Sequence, residues 1–247
     1  MNPLVFSSKF DVKGHDVNIN KTITIPVLLR YMQEASLLHA RQLKTSVWDM
    51  TEEKMTWVLV RKEMKIITPL KLDESYTILT YPSGFDKFLA YRDYLIFNTN
   101  KKMVVGASST WTLLKTDSRK LIKIPQNILD IGIPQETRFL TQPEKAISLP
   151  KGLERSDTRK VRPYDLDWNN HVNNIALIRF VMESLKNKGI EDDDISKILV
   201  HFKNELKLNE SVNLFEVKDE NDYYSVLREV QNDKAITLSK VTLRVSK

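Results

Sequence analysis

The sequence predicts an α+β protein built from two copies of one domain, each an antiparallel sheet wrapped around a long buried helix. Three observations support this fold class. The chain contains an internal repeat, each copy holds a segment with helical spacing that is apolar around most of its circumference, and strands with alternating apolar residues follow through short turns. A sheet that curls around one buried helix accounts for both the helix and the strand patterns.

The repeat appears when residues 16–35 are aligned with residues 165–184 without a gap. Identical residues then include Asp16 and Asp165, Asn20 and Asn169, Leu28 and Leu177, Arg30 and Arg179, and Glu34 and Glu183. Two more segment pairs recur in the same order: LKLDES (70–75) with LKLNES (206–211), and residues 100–114 with residues 232–245. One match arises easily by chance, but three in the same order indicate a duplicated domain.

The predicted helix of the second copy runs through IALIRFVMESL, residues 175–185. Only Arg179 and Glu183 carry charge in this stretch, and their i,i+4 spacing suits an ion pair. Arg30 and Glu34 repeat this spacing in the first copy. A helix that is apolar nearly all round is normally buried, so we expect each helix to lie inside its own sheet.

The strands are indicated by apolar residues at every second position, as at Ile236 and Leu238. Short turns such as NTNKK and QNDK between such segments are typical of antiparallel neighbours. We therefore place the first domain at residues 1–124 and the second at residues 153–247. Residues 125–152 hold prolines at 125, 134, 143 and 150 without clear periodicity, and we expect a linker there that lies against the surface.

Composition and charge limit the function of the chain. No apolar run reaches the roughly 18 residues of a membrane span, and the N-terminal residues do not read as a secretory signal. The 247 residues contain no cysteine, which excludes disulfides, thiolate zinc sites and a cysteine nucleophile, and agrees with a cytoplasmic location. A net charge of +6 indicates solubility or an acidic partner, and no nucleic-acid motif accompanies it. The four histidines are too scattered to predict a metal site.

The segment DLDWNNHVNN (165–174) places seven short polar or titratable side chains directly before the apolar helix. Asn173 and Asn174 stand where the helix begins, so we expect helix capping. The unpaired amides and positive dipole at that end could also hold the oxygen of a substrate as it becomes an oxyanion.

Asp167, Asn169 and His171 alternate along this segment, so in an extended conformation all three side chains would point one way. Aspartate and asparagine are also common in turns, which is the alternative explanation. The first copy has asparagine and threonine at the places of Asp167 and His171. Because the acid and the histidine occur in one copy only, we favour a catalytic role over turn formation alone.

Together these features resemble the acyl-acyl carrier protein (acyl-ACP) thioesterases, a family of tandem hotdog-fold enzymes. Residues 57–97, which include TYPSGFDKFLAYRDYLIF, are similar to the first hotdog of the family, and DLDWNNHVNN is similar to its DLDxNxHVNN signature. The resemblance implies hydrolysis of fatty acyl-ACP to free fatty acid and carrier protein, in fatty acid biosynthesis and without a cofactor. It also implies an acidic carrier partner. Plant members carry a transit peptide that is missing here, so a bacterial cytoplasmic version is expected.

The resemblance carries the catalytic role onto Asp167, Asn169 and His171, and onto Glu205, which occupies the place of a strand glutamate of the family. By strand parity alone, Glu205 would instead be a solvent-exposed residue between Lys203 and Lys207. Plant members often have a cysteine after that glutamate, where this chain has a leucine. Water must therefore be the nucleophile, with Glu205 as the expected base.

Since the first copy lacks the acid and the histidine, we expect it to shape the acyl pocket. Candidate substrate-binding residues are Leu29 and Met32 on its helix, Trp57 on the next strand, and Asn173 at the start of the second helix. Each of the three apolar residues would suit an ordinary core equally well.

Two alternatives share the fold: a thioesterase acting on acyl-coenzyme A, and an acyl-binding protein without catalysis. The sequence sets neither the preferred chain length nor whether the chain forms a homodimer. If the carrier is acidic, basic residues should meet it. The candidates are Arg61, Lys62, Lys65, Arg155, Arg159, Lys160 and Arg162.

Overall fold

A computed structural model describes residues 2–134 and 144–245, which form eleven strands and four helices. The strands are β1 (Phe6–Asp11), β2 (Met55–Ile66), β3 (Ser75–Phe85), β4 (Ala90–Asn98), β5 (Met103–Lys115), β6 (Leu121–Ile122), β7 (Glu154–Lys160), β8 (Ile195–Phe202), β9 (Ser211–Asp219), β10 (Asp222–Glu229) and β11 (Ala235–Leu243). The helices are α1 (Ile25–Gln42), α2 (Val47–Glu52), α3 (Gln126–Leu129) and α4 (Asn174–Asn187).

The strands make one antiparallel sheet in the order β1-β3-β4-β5-β2-β8-β11-β10-β9-β7, with the short β6 paired to β5. The two halves of the chain meet at its centre, where β2 pairs with β8. Arg61 lies opposite His201 there, and Lys65 lies opposite Lys197. The sequence predicts two sheets, and the structure shows that they are joined edge to edge.

The predicted duplication is visible in the element order. Strands β1 to β5 of the first half occupy the places of β7 to β11 in the second, counted from the edge of the sheet to its centre. A short 3-10 turn precedes the long helix in each half, at Gly14–Asp16 and Pro163–Asp165. The fold class is therefore confirmed: two hotdog-like halves, each with one long helix and an antiparallel sheet.

Both long helices are buried as expected. In α4, apolar side chains from Ala176 to Leu185 are buried, and the predicted ion pair joins Arg179 Nε to Glu183 Oε1 at 3.4 Å. Helices α1 and α4 contact each other, and residues of both helices share one hydrophobic core with the sheet. No helix in residues 2–134 and 144–245 is long and apolar enough to cross a membrane.

The first part of the predicted linker packs against the first half of the chain. Ile128, on α3, is 3% exposed and joins Ile124, Met50 and Met55 in a small apolar cluster. This packing agrees with the expected linker that lies against the surface, whereas the helix itself was not predicted, because a single turn leaves no periodic pattern. Residues 135–143 of the predicted linker lie outside the described residues, and the domain boundaries stay a prediction.

Candidate active site

The segment before α4 is a tight turn, so the expectation of an extended segment needs correction. The N–H of Asp167 donates to the carbonyl of His171 at 2.8 Å, and Asn170 has a φ of +59°. Oδ1 of Asp167 accepts the N–H groups of Asn169 at 2.9 Å and of His171 at 3.2 Å. A short carboxylate that bonds the backbone ahead of it stabilises a turn over an extended strand.

The first half of the chain makes the same turn with uncharged residues. Oδ1 of Asn18 accepts the N–H groups of Asn20 at 3.0 Å and Thr22 at 3.1 Å, and Lys21 has a φ of +55°. An asparagine is therefore sufficient for this backbone conformation. The turn therefore does not require the negative charge of Asp167.

Glu205 faces the histidine of the turn. His171 Nε2 lies 3.7 Å from Glu205 Oε2, because the N–H of Val172 donates to the carbonyl of Leu206 at 2.9 Å and holds the two segments together. The sequence placed Glu205 in a strand, but β8 ends at Phe202 and Glu205 lies in the loop beyond it. Glu205 is therefore not part of a strand, but its side chain is 38% exposed, so the expected exposure to solvent is confirmed.

The imidazole of His171 is held in its neutral form. Partial burial lowers its pKa from 6.5, and the positive charges of Arg119 and Lys207 act in the same direction. Asp167 opposes them and raises the pKa, although not enough to reverse the shift. A neutral imidazole beside a carboxylate can accept a proton or a hydrogen bond from water.

Arg119 is a residue of the site that sequence reasoning missed. It follows β5 in the first half, and its guanidinium forms an ion pair with Oε1 of Glu205 in the second half. Glu205 Oε2 is left facing His171. No local motif marks Arg119, since its role depends on how the two halves pack against each other.

The start of α4 offers a backbone amide to the site. Asn173 is the N-cap, as predicted, and its Oδ1 accepts the N–H of Ile175 at 2.8 Å. Among the described residues, the N–H of Asn174 has no acceptor. The helix N-terminus therefore presents one unpaired donor, at the positive end of the helix dipole.

The equivalent amide in the first half is already bonded to a carboxylate. The N–H of Ile25, the first residue of α1, donates to Oδ1 of Asp192 at 2.7 Å. The side chain of Asn18 donates to Glu191 at 3.1 Å and to Asp193 at 3.2 Å. Acidic residues of the turn at 191–193 thus occupy the start of α1, whereas the equivalent position at the start of α4 has no such carboxylate among the described residues.

A cavity of about 780 Å³ begins at this cluster. Its wall contains seven of the eight residues singled out from the sequence, namely Asp167, Asn169, His171, Asn173, Glu205, Leu29 and Trp57. Met32 is the exception: it is fully buried in the core and does not line the cavity. Leu29, Gln33, Ser36, Leu37 and Ala40 of α1 line the cavity, whereas Met32 packs into the hydrophobic core.

Two tryptophans mark the opening of the cavity. Trp48 is 46% exposed and Trp168 is 61% exposed, and their ring centroids lie 6.3 Å apart. Each half of the chain contributes one of these rings. Within the described ranges, no group of three or more histidine or acidic side chains is arranged to hold a metal ion.

Comparison with known proteins finds relatives that match most of the length of this chain. The chain is 26% identical over 226 residues to oleoyl-acyl carrier protein thioesterase 1 of Arabidopsis thaliana, a chloroplastic protein, which covers 85% of this chain and 62% of the relative. It is 23% identical to the chloroplastic palmitoyl-acyl carrier protein thioesterase of Gossypium hirsutum, covering 82% of this chain and 52% of the relative. The chain thus spans less than two thirds of the length of these relatives.

Solved structures share the fold over nearly the whole chain. An acyl-ACP thioesterase from Bacteroides thetaiotaomicron superposes with a TM-score of 0.88 at 18% identity, covering 99% of this chain and all of the other. The 12:0-ACP thioesterase of Umbellularia californica superposes with a TM-score of 0.86 at 18% identity, covering 99% and 98%. The models of the acyl-ACP thioesterase N-terminal and C-terminal domains match residues 3–131 and 151–245. Since these matches take up most of its length, the chain belongs to the acyl-ACP thioesterase family.

Proposed function

We propose that this chain hydrolyses fatty acyl thioesters of acyl carrier protein, releasing free fatty acid and carrier protein. One observation carries the proposal: a carboxylate, an imidazole and an unpaired helix amide meet at the opening of a mostly apolar cavity. A cavity of about 780 Å³ is in the range of small-molecule sites and has room for an alkyl chain. The names of the relatives agree with this function.

In the proposed reaction, a water molecule between Glu205 and the substrate attacks the thioester carbonyl carbon. Oε2 of Glu205 takes a proton from that water, with His171 beside it to orient the water or relay the proton. The carbon–sulfur bond then breaks, and the sulfur of the carrier arm leaves as a thiol after gaining the proton. The chain has no cysteine, so no thiolate of the protein takes part.

The helix start is the proposed site of the developing negative charge. The N–H of Asn174 points to no acceptor among the described residues, and the contact between Ile25 and Asp192 in the first half shows that an anionic oxygen fits such an amide. A preorganised donor of this kind stabilises a tetrahedral intermediate. Asn169 lines the same cavity and would orient the water or the carbonyl, while Asp167 holds the turn and supports His171.

The carrier protein would dock around the two tryptophans, where its prosthetic arm can reach the site. Exposed basic residues near this opening are Arg41, which stacks on Trp48 at 5.3 Å, and Lys203 and Lys207 after β8. Among the basic residues named from the sequence, Lys62 cannot contact a partner because it is only 8% exposed. Of the other basic residues named from the sequence, Arg61 and Lys65 lie on β2. Those at positions 155, 159, 160 and 162 lie on or next to β7, at the edge of the sheet. None of them lines the cavity.

The proposal assigns most of the acyl pocket to the first half, residues 1–124, and catalysis to the second half, residues 153–247. Ile175 and Ile178 of the second half also line the cavity. Leu29 and Trp57 of the first half line the cavity, whereas Asp167, His171 and Glu205 come from the second half. A cytoplasmic location is part of the proposal and rests on the cysteine-free sequence, which is compatible with a reducing compartment.

The test is a hydrolysis assay with matched acyl chains on carrier protein and on coenzyme A, with release of thiol as the readout. We expect faster turnover of the carrier-protein thioesters, with an advantage that shrinks as salt screens the basic opening. Equal rates on both carriers at every salt concentration would favour an acyl-coenzyme A thioesterase. Tight acyl binding without any release of thiol would instead show a protein that binds but does not catalyse.

A further inference from the structure

Two basic side chains of the sheet line the cavity outside the cluster at the start of α4. Lys62 on β2 and Arg92 on β4 both line the cavity. Each is paired in the sheet with Ser109 of β5, so their Cα atoms are about 10 Å apart, two strand spacings. Lys62 is 8% exposed, which places it deep inside the protein rather than at the entrance.

No carboxylate among the described residues forms an ion pair with Lys62. Its ammonium lies 4.4 Å from the ring centroid of Tyr94, a favourable cation–π contact that supplies no full negative charge. Burial lowers the pKa of Lys62, and only Tyr94 acts to raise it, with no contribution from a carboxylate. A buried ammonium without an anionic partner is costly, because water is lost and nothing replaces it.

Among the described residues, the acceptors bonded to Arg92 are neutral. Its Nη1 donates to Nδ1 of His39 at 3.0 Å and to Oγ1 of Thr80 at 3.3 Å. His39 is in the tautomer with hydrogen on Nε2, since that nitrogen contacts the carbonyl of Pro3 at 3.2 Å and arginine can only donate to the other. Burial lowers the pKa of His39 to about 4, so the imidazole is neutral near pH 7 and does not offset the charge of the guanidinium.

The two carboxylates in the cavity wall, Asp167 and Glu205, belong to the cluster at the start of α4. Arg119 pairs with Glu205 in that cluster, whereas the wall cations Lys62 and Arg92 have no carboxylate partner among the described residues. Apolar side chains such as Leu29, Trp57 and Ile178 line the same cavity. A plain alkyl chain would leave both cations unpaired. A chain with an acidic group at its far end would pair them.

We propose that the inner end of the cavity is a subsite for an anionic oxygen group on the far end of the acyl chain, held by Lys62 and Arg92. The preferred substrates would then be thioesters of acyl chains that end in a carboxylate, in place of plain fatty acyl chains. This proposal rests on the proposed function, because it takes the cavity to be the acyl site. It goes further by naming the chemical class of the chain.

The test compares carrier-protein thioesters of equal chain length that end in a methyl group, a hydroxyl or a carboxylate, over a series of lengths. At the length that reaches Lys62, we expect kcat/KM for the carboxylate chain to exceed that for the methyl chain. Lys62→Met, which replaces the ammonium by an apolar group of similar length, should shift this ratio toward the methyl chain by roughly 10- to 100-fold, the range for a charge-assisted hydrogen bond. Lys65→Met, on the same strand but exposed outside the cavity, is the control and should leave the ratio unchanged.

A methyl-terminated preference at every length that Lys62→Met does not alter would overturn the subsite. A hydroxyl chain that equals the carboxylate chain would overturn its anionic character. A second measurement does not depend on turnover: thermal protection of the wild-type protein by free dicarboxylic acids, compared with monocarboxylic acids of the same length. If no thioester is hydrolysed but dicarboxylic acids protect in a Lys62-dependent way, the proposed function fails and the subsite stands.

Discussion

The backbone N–H of Ile25 donates a 2.7 Å hydrogen bond to Oδ1 of Asp192, which joins the two halves of the chain. Ile25 begins α1 as Asn174 begins α4. In one half a carboxylate of the protein meets the helix amide, and in the other half the amide faces a cavity. This asymmetry explains how a duplicated fold comes to have one candidate active site.

Replacing Asp192 tests the structural part of this relationship. Asp192 also contacts Lys186 at 2.9 Å, and its side chain is 1% exposed. Asp192→Ala therefore leaves the buried N–H of Ile25 without its acceptor and removes one of the two carboxylate partners of Lys186. We expect the free energy of unfolding to fall by about 1–3 kcal/mol. Chemical denaturation measures this loss, and Asp219→Ala, at an exposed end of β9, is the matched control. An unchanged stability would show that the contact contributes nothing.

Restoring the acid and the histidine in the first half should not create a second site. Asn18→Asp together with Thr22→His would place a new carboxylate against Glu191 and Asp193, which now accept hydrogen bonds from Asn18. We expect lower stability and no hydrolysis when this pair is introduced into a chain that already carries Glu205→Gln. Recovery of turnover in that chain would contradict the assignment of one site.

Asn173→Ala tests the helix cap separately from catalysis. Because Oδ1 of Asn173 accepts the N–H of Ile175, its loss should lower the free energy of unfolding by about 1 kcal/mol. Asn173→Asp keeps an acceptor at the same place and should retain most of the stability. Thermal unfolding of the two variants side by side distinguishes a cap from a residue without a structural role.

The ionisation of His171 gives a prediction for NMR titration. Its pKa should lie below 6.5, because burial and the charges of Arg119 and Lys207 disfavour the imidazolium. Lys207→Gln should raise this pKa, whereas Asp167→Asn should lower it further, since the aspartate charge is the part that favours the imidazolium. A His171 that titrates above 6.5, or shifts of the opposite sign, would contradict the electrostatics described for the site.

Two other histidines predict how stability depends on pH. His39 and His201 are buried, and burial lowers the pKa of each to about 4 from 6.5. The unfolded chain therefore binds protons more readily, so stability is full above pH 6.5 and is lost as the pH falls toward 4, by about 1–3 kcal/mol per histidine.

Unfolding experiments between these pH values measure the loss. His201→Gln, which keeps a donor to the carbonyl of Glu144, should flatten the dependence, whereas His15→Gln at an exposed position should not. A steep loss of stability that persists in His201→Gln would assign the acid sensitivity to His39 or to other groups.

The fold could be predicted because its signals are local and repeated. The apolar circumference of α4, the alternation in β11 and the matched turns at residues 18–22 and 167–171 are each visible in the sequence. Of the candidate site, the residues that lie together in one segment, 165–174, could be predicted from the sequence pattern. The sequence does not show how segments from different halves meet. Examples are the ion pair of Arg119 with Glu205, the hydrogen bond from the N–H of Ile25 to Asp192, and the position of Lys62 on the cavity wall.

The most direct test of the account is the turnover of acyl carrier protein thioesters by Glu205→Gln compared with the wild-type chain. Glutamine keeps the size of the side chain and its contact with Arg119 but cannot take a proton from water. We predict that kcat falls by roughly 10²-fold or more while the folded structure is retained, with similar losses for Asp167→Ala and His171→Ala. Hydrolysis by Glu205→Gln at the wild-type rate would contradict the account, because Glu205 would then be a surface glutamate and the base would lie elsewhere.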